Sequence, residues 1–414
     1  MTALDRGSLD GLLARTSLRR LLEALDGEGE ETRVVGGALR NALLGRPIVD
    51  VDCATTATPD VTTRRAVAAG LKAVPTGIEH GTVTVVVEGE PFEVTTLRED
   101  VETDGRHAVV RFGRDFSADA HRRDFTINAL SLGRDGTLHD YTDGLADLAA
   151  RRVRFIGDAA TRIREDYLRI LRFFRFHSDY ADGPPDREGL RAAGLERGGL
   201  ARLSRERVRA EGLKLLASRR AGDMVDVLLD HGFLTDLLGT AAEIGRFGRV
   251  AAGTRDPVDR LAALAVMTKE GADTLRERLR LSRDEHERLA CYAELVAELK
   301  SPHHLLDAVG IRRLVARRGV APVVLAARAL AGEPRPVLAE DAMPALEGYR
   351  SGAQPVPVFP LRGADLIREG LPKGPHIGEI LADARHTWFA EGCPEGEAYA
   401  ADLKERVLAS LGGR

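Results

Sequence analysis

Two aspartates separated by a single residue, Asp50 and Asp52, are the side chains whose type and spacing most directly indicate chemistry. Residues i and i+2 of a β-strand point to one face of a sheet, so the two carboxylates converge if this stretch is a strand. Carboxylate oxygens are ligands that Mg²⁺ accepts, and two of them beside bound phosphates suit a two-metal site. Taken alone the pair leaves several classes open, because Asp-x-Asp also serves aspartyl-phosphate phosphatases and sugar-nucleotide transferases.

A glycine pair, Gly36 and Gly37, lies upstream of the aspartates and is followed by a short helix with Arg40 one turn inside it. Glycines at such a turn let backbone N–H groups approach a phosphate closely, and the helix start adds partial positive charge. The guanidinium of Arg40 adds a forked donor for the same phosphates. The order of these parts therefore predicts a triphosphate held in front of metal-binding carboxylates.

A mixed region of strands and helices must position these groups, and it extends to about residue 157. Apolar and alternating runs predict strands at 33–36, 50–55, 82–87, 92–96, 108–112 and 138–141, with helices at 9–25, 38–44 and from Thr58 onward. Beyond residue 157 the spacing of apolar residues predicts helices only, at 161–177, 204–218, 223–231, 258–269, 283–299, 323–331, 375–388 and 397–408. The proline-rich stretch 334–360 is predicted to be a linker or long connection.

The net charge of −4 over 414 residues does not point to a nucleic-acid partner, but one region departs from the average. Residues 151–220 contain 18 Lys or Arg against 10 Asp or Glu, an excess of eight. Such a basic segment is typical of a surface that faces a polyanion, although solvated helix faces would have the same composition.

The sequence also bears on the cellular setting. Its three cysteines lack zinc spacing, and it has no apolar run of signal-peptide or membrane-span length. These features predict a reducing, cytoplasmic setting without a membrane.

Five sequence motifs resemble, in order, those of the class II tRNA nucleotidyltransferases, the CCA-adding enzymes of the DNA polymerase β superfamily. They are Gly36-Gly-Ala-Leu-Arg-Asn-Ala-Leu-Leu-Gly-Arg46 with Asp50-Val-Asp52 (motif A), Arg122-Arg-Asp-Phe-Thr-Ile-Asn-Ala-Leu130 (B), Asp140-Tyr-Thr-Asp-Gly-Leu-Ala-Asp-Leu148 (C), Glu165-Asp-Tyr-Leu-Arg-Ile-Leu-Arg-Phe-Phe-Arg-Phe176 (D) and Leu203-Ser-Arg-Glu-Arg-Val-Arg-Ala-Glu211 (E). One departure is Asn41, where the family often has Asp.

The resemblance implies an α+β fold: a polymerase-β-like nucleotidyltransferase head with a mixed sheet, followed by an all-α neck, body and tail. The implied domains are the head at 1–157, the neck at 158–250, the body at 251–335 and a tRNA-binding tail at 336–414. The implied reaction adds CCA to the 3′ end of tRNA from CTP and ATP, without a nucleic-acid template, with Mg²⁺ as cofactor. Nothing in the sequence indicates the oligomeric state.

The resemblance also assigns the residues of the site. Asp50 and Asp52 would be catalytic and hold the metal. The nucleotide would be bound by Gly36, Gly37, Arg40, Arg123, Asp124, Asn128, Asp166, Arg169, Arg172 and Arg175, of which Arg175 lies at the edge of the predicted helical arc.

The pair Asp166 and Arg169 can also be read without the family. On the predicted continuous helix 161–177 the two side chains are neighbours, three residues apart. Asp accepts a hydrogen bond and Arg donates, and cytosine and adenine both present an amino donor beside a ring acceptor. Guanine and uracil present the reverse order, so the pair predicts selection of C and A. A surface ion pair would have the same spacing.

Some assignments stay open on the sequence. Glu93 is either a third metal ligand or a solvated strand residue, and His80 is expected to be structural. The stretch 98–107 is expected to be a mobile loop. The competing functions are poly(A) synthesis, addition of A only, and a tRNA-binding protein without catalysis. The glycine-rich segment 360–378 resembles a family element that grips the tRNA elbow, although a plain helix–helix turn would look the same.

Overall fold

The computed structural model of the chain describes residues 4–77, 81–103, 108–300 and 305–412, so His80 and residues 104–107 lie outside the described residues. The chain forms two compact units, unit 1 up to Met224 and unit 2 from Val225. The division falls within one helix, Ala221–Asp230. The four-part division into head, neck, body and tail stays a prediction.

Nine strands lie in the described part of unit 1. They are β1 (Thr32–Val35), β2 (Asp52–Thr55), β3 (Lys72–Gly77), β4 (Thr82–Val87), β5 (Glu90–Thr96), β6 (Arg98–Thr103), β7 (Ala108–Phe112), β8 (Ser131–Leu132) and β9 (Leu138–His139). Seven of them form one mixed sheet in the order β3-β4-β5-β2-β1-β8-β9, in which β2 and β5 are parallel and the other pairs antiparallel. The strands β6 and β7 form a separate antiparallel pair.

The early helices of unit 1 pack against this sheet, and the later ones pack on one another. They are α1 (Gly7–Leu13), α2 (Thr16–Leu25), α3 (Gly37–Leu43), α4 (Pro59–Ala68), α5 (Phe116–His121), α6 (Gly144–Ala149), α7 (Ala159–Glu165), α8 (Leu168–Tyr180), α9 (Arg187–Leu195), α10 (Arg205–Ala217) and α11 (Ala221–Asp230). Short 3₁₀ helices occupy Thr126–Asn128 and Arg197–Arg202. The described residues after His139 contain no further strand, which confirms the predicted change from mixed to helical structure.

Two predicted helices of unit 1 are each divided in the structure. The first, 9–25, is interrupted at Arg15, whose backbone is extended (φ −59°, ψ 124°). The second, 161–177, is interrupted at Asp166 (φ −153°, ψ 104°). The Asp166 carboxylate accepts a hydrogen bond from the backbone N–H of Leu168 at 3.1 Å. A short polar side chain that bonds nearby backbone in this way competes with helix continuation.

The stretch expected to be a mobile loop is in part a strand, because β6 extends from Arg98 to Thr103.

The core of unit 1 joins the sheet to the helices that follow it. Phe125 at the motif B segment packs against Phe155, Phe173 and Phe176 in tilted arrangements, with ring centroids 5.0 to 6.3 Å apart. The aromatic residues of α8 belong to this core, since Phe173 is fully buried and Phe176 nearly so.

Unit 2 is helical throughout its described part. After the end of α11 it contains α12 (Phe233–Leu238), α13 (Ile244–Ala251), α14 (Pro257–Ala265), α15 (Lys269–Leu279), α16 (Arg283–Leu299), α17 (Ala308–Arg318), α18 (Val320–Leu330), α19 (Ala342–Arg350), α20 (Gly363–Arg368), α21 (His376–Ala390) and α22 (Glu397–Gly412). Its core includes fully buried Tyr292 of α16 and Trp388 of α21. Across the described chain, no helix combines the length and the apolar character that crossing a membrane requires.

The linker predicted at 334–360 contains a helix, α19, so that prediction is wrong for its middle part. Pro344 lies in the first turn of α19, where a missing N–H costs no intrahelical hydrogen bond. The helix buries Ala342, Leu346 and Tyr349, which are spaced four and three residues apart. The sequence therefore contains the apolar spacing of a helix here, although its high proline content indicated a linker.

Candidate active site

A cavity of about 530 Å³ opens in unit 1 beside the ends of β1, β2 and β5. Its walls also include residues of α3, α5 and α8 and of the segment between α5 and the following 3₁₀ helix. The lining residues are Val35, Gly36, Gly37, Arg40, Asp52, Cys53, Ala54, Glu93, Thr95, Arg98, Asp119, Arg122, Arg123, Asp124, Asn128, Asp166, Arg169, Arg172 and Phe176. Ten of the twelve predicted site residues are among them, and the two outside the lining are Asp50 and Arg175.

Asp52 is the first residue of β2, and its Cα is paired with that of Glu93 in the parallel ladder with β5. Burial, followed by repulsion from Glu93 and Asp50, raises the pKa of the Asp52 carboxyl, and the charge of Arg123 opposes this shift. Crowded carboxylates destabilise one another in their charged form. The electrostatics at Asp52 therefore favour a bound cation.

Asp50 does not lie in the predicted strand, because β2 begins only at Asp52. The last pair of the ladder between β1 and β2 joins Val35 to Asp52, and the chain then turns away at Gly36 into α3. No partner strand is left for Asp50, which sits exposed in the preceding loop. The argument from strand alternation is thus wrong, although the charge of Asp50 still reaches Asp52 and contributes to its raised pKa.

The acidic residues at the cavity bear on whether it can hold a metal ion. Within the described residues no cluster of three or more His, Cys, Asp or Glu side chains is arranged to hold a metal ion. Magnesium at nucleotide sites is usually bound through one or two carboxylates together with substrate phosphates and water. Asp52 and Glu93 line the cavity with oxygen donors of that kind, so the residues present fit a hard divalent cation.

Gly36 closes β1 and caps α3 with a backbone conformation (φ 70°, ψ −122°) that residues with a side chain rarely adopt. Its N–H donates to the carbonyl of Leu130 at 3.2 Å, which ties the turn to the motif B segment. A Cβ at this position would lie 3.4 Å from a guanidinium nitrogen of Arg123. The turn itself therefore requires the glycine, whereas a Cβ here would make only an ordinary van der Waals contact with Arg123.

Arg40 on α3 is buried, with 7% of its surface exposed, and burial lowers the pKa of its guanidinium. It donates to the Asn128 side chain, to Asn41 at 3.4 Å and to the hydroxyl of Tyr180 at 2.8 Å. All three partners are neutral, and within the described residues no carboxylate lies within 4 Å of the guanidinium. A buried cation without a paired anion is costly to the fold, which makes this the best-prepared anion site of the cavity.

Arg122 and Arg123, at the start of motif B, share one buried carboxylate. Asp119 of α5 is 3% exposed and accepts from Arg122 at 2.8 Å through one oxygen and from Arg123 at 3.0 Å through the other. Burial would raise the pKa of Asp119, but the charges of the two arginines and their hydrogen bonds outweigh it and lower that pKa. One aspartate thus fixes two guanidinium groups on the cavity wall.

Asp124 acts as an organiser of the same wall. Its carboxylate accepts from the side chain of Asn128 at 3.0 Å and from Arg172 of α8 at 2.6 and 2.8 Å. Burial opposes ionisation, yet the charge of Arg172 and the hydrogen bonds lower the pKa of Asp124. The two predicted binding residues Asp124 and Arg172 therefore bind each other, and Asn128 links them to Arg40.

Asp166 and Arg169 both line the cavity but are not neighbours on one helix, because the break at Asp166 separates α7 from α8. Asp166 accepts from Arg207 of α10 at 2.7 Å, while Arg169 donates to Glu165 at 2.5 Å and to two backbone carbonyls. The predicted geometry is wrong, although the predicted acceptor and donor do face the same cavity. Each is oriented by its own partner.

Arg175 lies outside the lining of the cavity and forms an ion pair with Glu211 of α10. Glu211 is nearly fully buried, so this contact holds α8 against α10. The structure does not place Arg175 beside the other predicted nucleotide-binding residues, which agrees with its position at the edge of the helical arc.

Sequence reasoning did not assign several residues that the cavity depends on. Tyr180 and Arg207 act through long-range contacts that no spacing rule reveals. Asp119 lies only three and four residues before the two motif B arginines that it binds, and this spacing could have indicated it. Glu93 was left undecided, and the pairing of β2 with β5 is what places it beside Asp52.

Comparison with known proteins gives consistent results. The family described as the Poly A polymerase head domain matches residues 32–154. The CCA tRNA nucleotidyltransferase 1 of Mus musculus mitochondria is 36% identical, with 91% of this chain and 86% of that protein covered. The CCA-adding enzyme of Leuconostoc citreum is 40% identical over 53% of this chain and 54% of its own length.

Among solved structures, the Bacillus stearothermophilus CCA-adding enzyme in complex with CTP is 28% identical and superposes with a TM-score of 0.73. The match covers 98% of this chain and 99% of that one. The mouse relative passes 30% identity over most of both chains, and the sheet, the glycine turn and the cavity wall occur in the order that the five motifs predict. The chain therefore belongs to the class II CCA tRNA nucleotidyltransferases.

Proposed function

We propose that the cavity of unit 1 binds CTP and ATP in turn and adds the sequence C, C, A to the 3′ end of tRNA without a nucleic-acid template. The observation that carries this proposal is one cavity with two kinds of wall. The phosphate side consists of Gly36, Gly37, Arg40, Asp52 and Glu93. The base side consists of Asp166, Arg169 and Arg172.

In each step the 3′-hydroxyl oxygen of tRNA bonds to the α-phosphorus of the nucleotide. The bond from that phosphorus to the oxygen bridging to the β-phosphate breaks, pyrophosphate leaves, and the hydroxyl proton is lost to solvent. Members of the family use divalent metals, and we propose Mg²⁺ here, held by Asp52 and Asp50 with Glu93 as a third carboxylate. Such an ion would neutralise phosphate charge and make the hydroxyl easier to deprotonate.

On the phosphate side, the role of Arg40 is to bind the triphosphate. Its buried guanidinium has only neutral partners among the described residues, so a phosphate oxygen would supply the missing negative charge. Arg123, held by Asp119, also reaches the glycine turn, 3.4 Å from where a Gly36 Cβ would be, and Arg40 lies 3.5 Å from where a Gly37 Cβ would be. The two guanidinium groups thus both lie next to the turn on which the phosphates would rest.

On the base side, Asp166 and Arg169 keep hydrogen-bonding capacity for a base. An ionised carboxylate can accept about four hydrogen bonds, and Asp166 uses two, from Leu168 and Arg207. A guanidinium has about five N–H donors, and Arg169 uses three, to Glu165, Arg162 and Arg122. The remaining acceptor and donor match the amino group and ring nitrogen that cytosine and adenine share.

One incubation series tests the reaction. Purified protein is given tRNA lacking its 3′ CCA together with CTP alone, ATP alone or both, and product lengths are read on a sequencing gel. We expect growth by two nucleotides with CTP alone and by three with both. Long tails from ATP alone would instead indicate a poly(A) polymerase. A parallel incubation with tRNA that already ends in CC separates the other two cases. Addition of A to that tRNA only would indicate an A-adding enzyme, and no incorporation into either tRNA would indicate a tRNA-binding protein.

The cytoplasmic setting rests on composition alone and stays a prediction. Contact between the tail segment 360–378 and the tRNA elbow is likewise a proposal, and substitutions there would be expected to weaken tRNA binding without changing nucleotide selection.

A further inference from the structure

Arg40 differs from four other cavity arginines in how it is held. Arg122 and Arg123 are bound by Asp119, Arg169 by Glu165 and Arg172 by Asp124, so each of these four has a carboxylate partner. Arg40 is held by amide oxygens and by Tyr180, and its buried Nε has no hydrogen-bond partner within the described residues. The direction of its fork therefore depends on neutral contacts.

Tyr180 makes the most extensive of these contacts. Its hydroxyl accepts from Arg40 at 2.8 Å and donates to the Asn41 side chain at 3.2 Å, which fixes the direction of the hydroxyl. Its ring also stacks on the guanidinium, with the central carbon 3.9 Å from the ring centroid. A hydrogen bond and a cation–π contact from one side chain hold both the plane and the rotation of the fork.

A second arginine from the motif A segment secures the tyrosine. The Arg46 guanidinium carbon lies 4.8 Å from the Tyr180 ring centroid, and Arg46 donates to the carbonyl of Asp179 at 2.9 Å. Tyr180 is the last residue of α8, and Arg169 lies at the other end of the same helix. One helix thus bears a base-side residue at its start and the support of Arg40 at its end.

We propose that Tyr180 is a positioning residue for the triphosphate: it orients Arg40, and through Arg40 it sets the affinity for the phosphates of every nucleotide regardless of the base. This inference rests on the proposed role of Arg40 on the phosphate side. It adds a residue outside the five motifs and a direct mechanical link between α8 and the glycine turn.

The test compares Tyr180→Phe, which keeps the ring, with wild-type protein. Dissociation constants for CTP, ATP and inorganic triphosphate are measured by calorimetry without tRNA, and KM and kcat are measured on tRNA. Loss of one hydrogen bond to a charged group predicts an increase of about 10- to 100-fold in all three dissociation constants and in KM, by a common factor, with kcat within about twofold of wild type. An unchanged affinity, or a change for only one nucleotide, would overturn the proposal.

A double-mutant cycle with Arg40→Gln shows whether Tyr180 acts through Arg40. We expect Tyr180→Phe to have no further effect on triphosphate binding once Arg40 is replaced, whereas additive effects would contradict the proposal. Tyr141→Phe is the matched control, because it removes a hydroxyl bound to Arg33 at 3.1 Å, away from the cavity lining, and should leave triphosphate binding unchanged. Thermal unfolding checks that each variant folds. If Arg40→Gln does not fold, the comparison of Tyr180→Phe with wild type still decides the question.

Binding of inorganic triphosphate requires neither tRNA nor transfer. A wild-type protein that binds triphosphate but does not extend tRNA would refute the proposed function while the Tyr180 comparison still gives an answer.

Discussion

The two sides of the cavity treat charge in opposite ways. On the base side each charged group has an opposite partner: Asp166 pairs with Arg207, Arg169 with Glu165 and Arg172 with Asp124. On the phosphate side, Asp52 is crowded by acids and Arg40 is buried among neutral groups. The charges of the base side are balanced without a ligand. The phosphate side instead has unbalanced charges, which a cation at Asp52 and an anion at Arg40 would neutralise.

This difference shows which part of the site suits which part of the substrate. A base is neutral and offers hydrogen bonds, so side chains that are already paired with one another can recognise it through hydrogen bonds alone. A triphosphate and its metal carry large charges, and uncompensated protein charges bind them strongly because the folded chain has not satisfied them already.

The largest effect is expected from the carboxylates. Asp52→Asn and Asp50→Asn should each reduce nucleotide transfer at least about a thousandfold, because each removes negative charge that the proposed metal requires. Incorporation of labelled CMP into tRNA lacking CCA measures the loss. Asp60→Asn, at an exposed acid in the first turn of α4, is the control and should retain activity. Substantial transfer by Asp52→Asn would refute the metal-binding role.

Breaking the base side should change selection and spare transfer. Asp166→Ala removes the acceptor, so discrimination of CTP and ATP against GTP and UTP should fall by about 10- to 100-fold while CMP incorporation continues. Competition assays with all four nucleotides measure this ratio. Asp182→Ala removes an exposed acid of the same unit, paired with Arg219, and should leave the ratio unchanged. Unaltered selectivity in Asp166→Ala would contradict the reading role.

The next prediction concerns the contribution of Glu93 to Mg²⁺ binding on the phosphate side. Glu93→Gln should raise the Mg²⁺ concentration for half-maximal activity by about tenfold, because Glu93 is the strand partner of Asp52 and its charge helps to hold the cation. Activity is titrated with Mg²⁺ at saturating CTP. Glu90→Gln, in the same strand but outside the cavity lining, serves as the control. An identical Mg²⁺ requirement would leave Glu93 a solvated strand residue.

The smallest effect concerns stability. The pKa of Asp52 is raised in the folded state, so its ionised form destabilises the fold at pH values above that pKa, and this cost is lost as the pH falls through it. Because Asp52 is partly open to solvent, the effect is modest. Asp52→Asn should raise the unfolding temperature of metal-free protein by about 1–2 °C at pH 7, and the difference should shrink at acidic pH as the Asp52 carboxyl becomes protonated. Scans in EDTA across this range test the sign, and a lower unfolding temperature for the variant would contradict it.

The sequence predicted local features of the fold well. Glycine, β-branched and apolar patterns located β1, β4, β5 and α3, and the change to helices after the sheet is confirmed. It failed where a tertiary contact overrides a periodic pattern. The apolar period runs through Asp166, but its carboxylate bonds to Leu168 and Arg207, and the second of these lies 41 residues further on.

The candidate site follows the same division. The resemblance to the family assigned ten residues that line the cavity. Among them, the glycine turn, Arg40 and Asp52 could also be recognised from residue types and order, because such a turn depends on local geometry. Asp50 was misplaced because the end of a strand is decided by its neighbour, and β1 stops at Val35. Tyr180 was missed because its contact with Arg40 joins residues 140 positions apart, and nothing near either residue signals it.

The break at Asp166 has a consequence for transplantation of specificity. An uninterrupted helix would bear its reading groups as a self-contained cassette, which could be moved between enzymes as a peptide segment. Here the extended residue depends on an arginine from α10 for its orientation. A chimera that receives residues 165–176 alone would contain Asp166 and Arg169 but would lack the contact that orients Asp166. Transfer of nucleotide selection would therefore require Arg207 to be transferred as well.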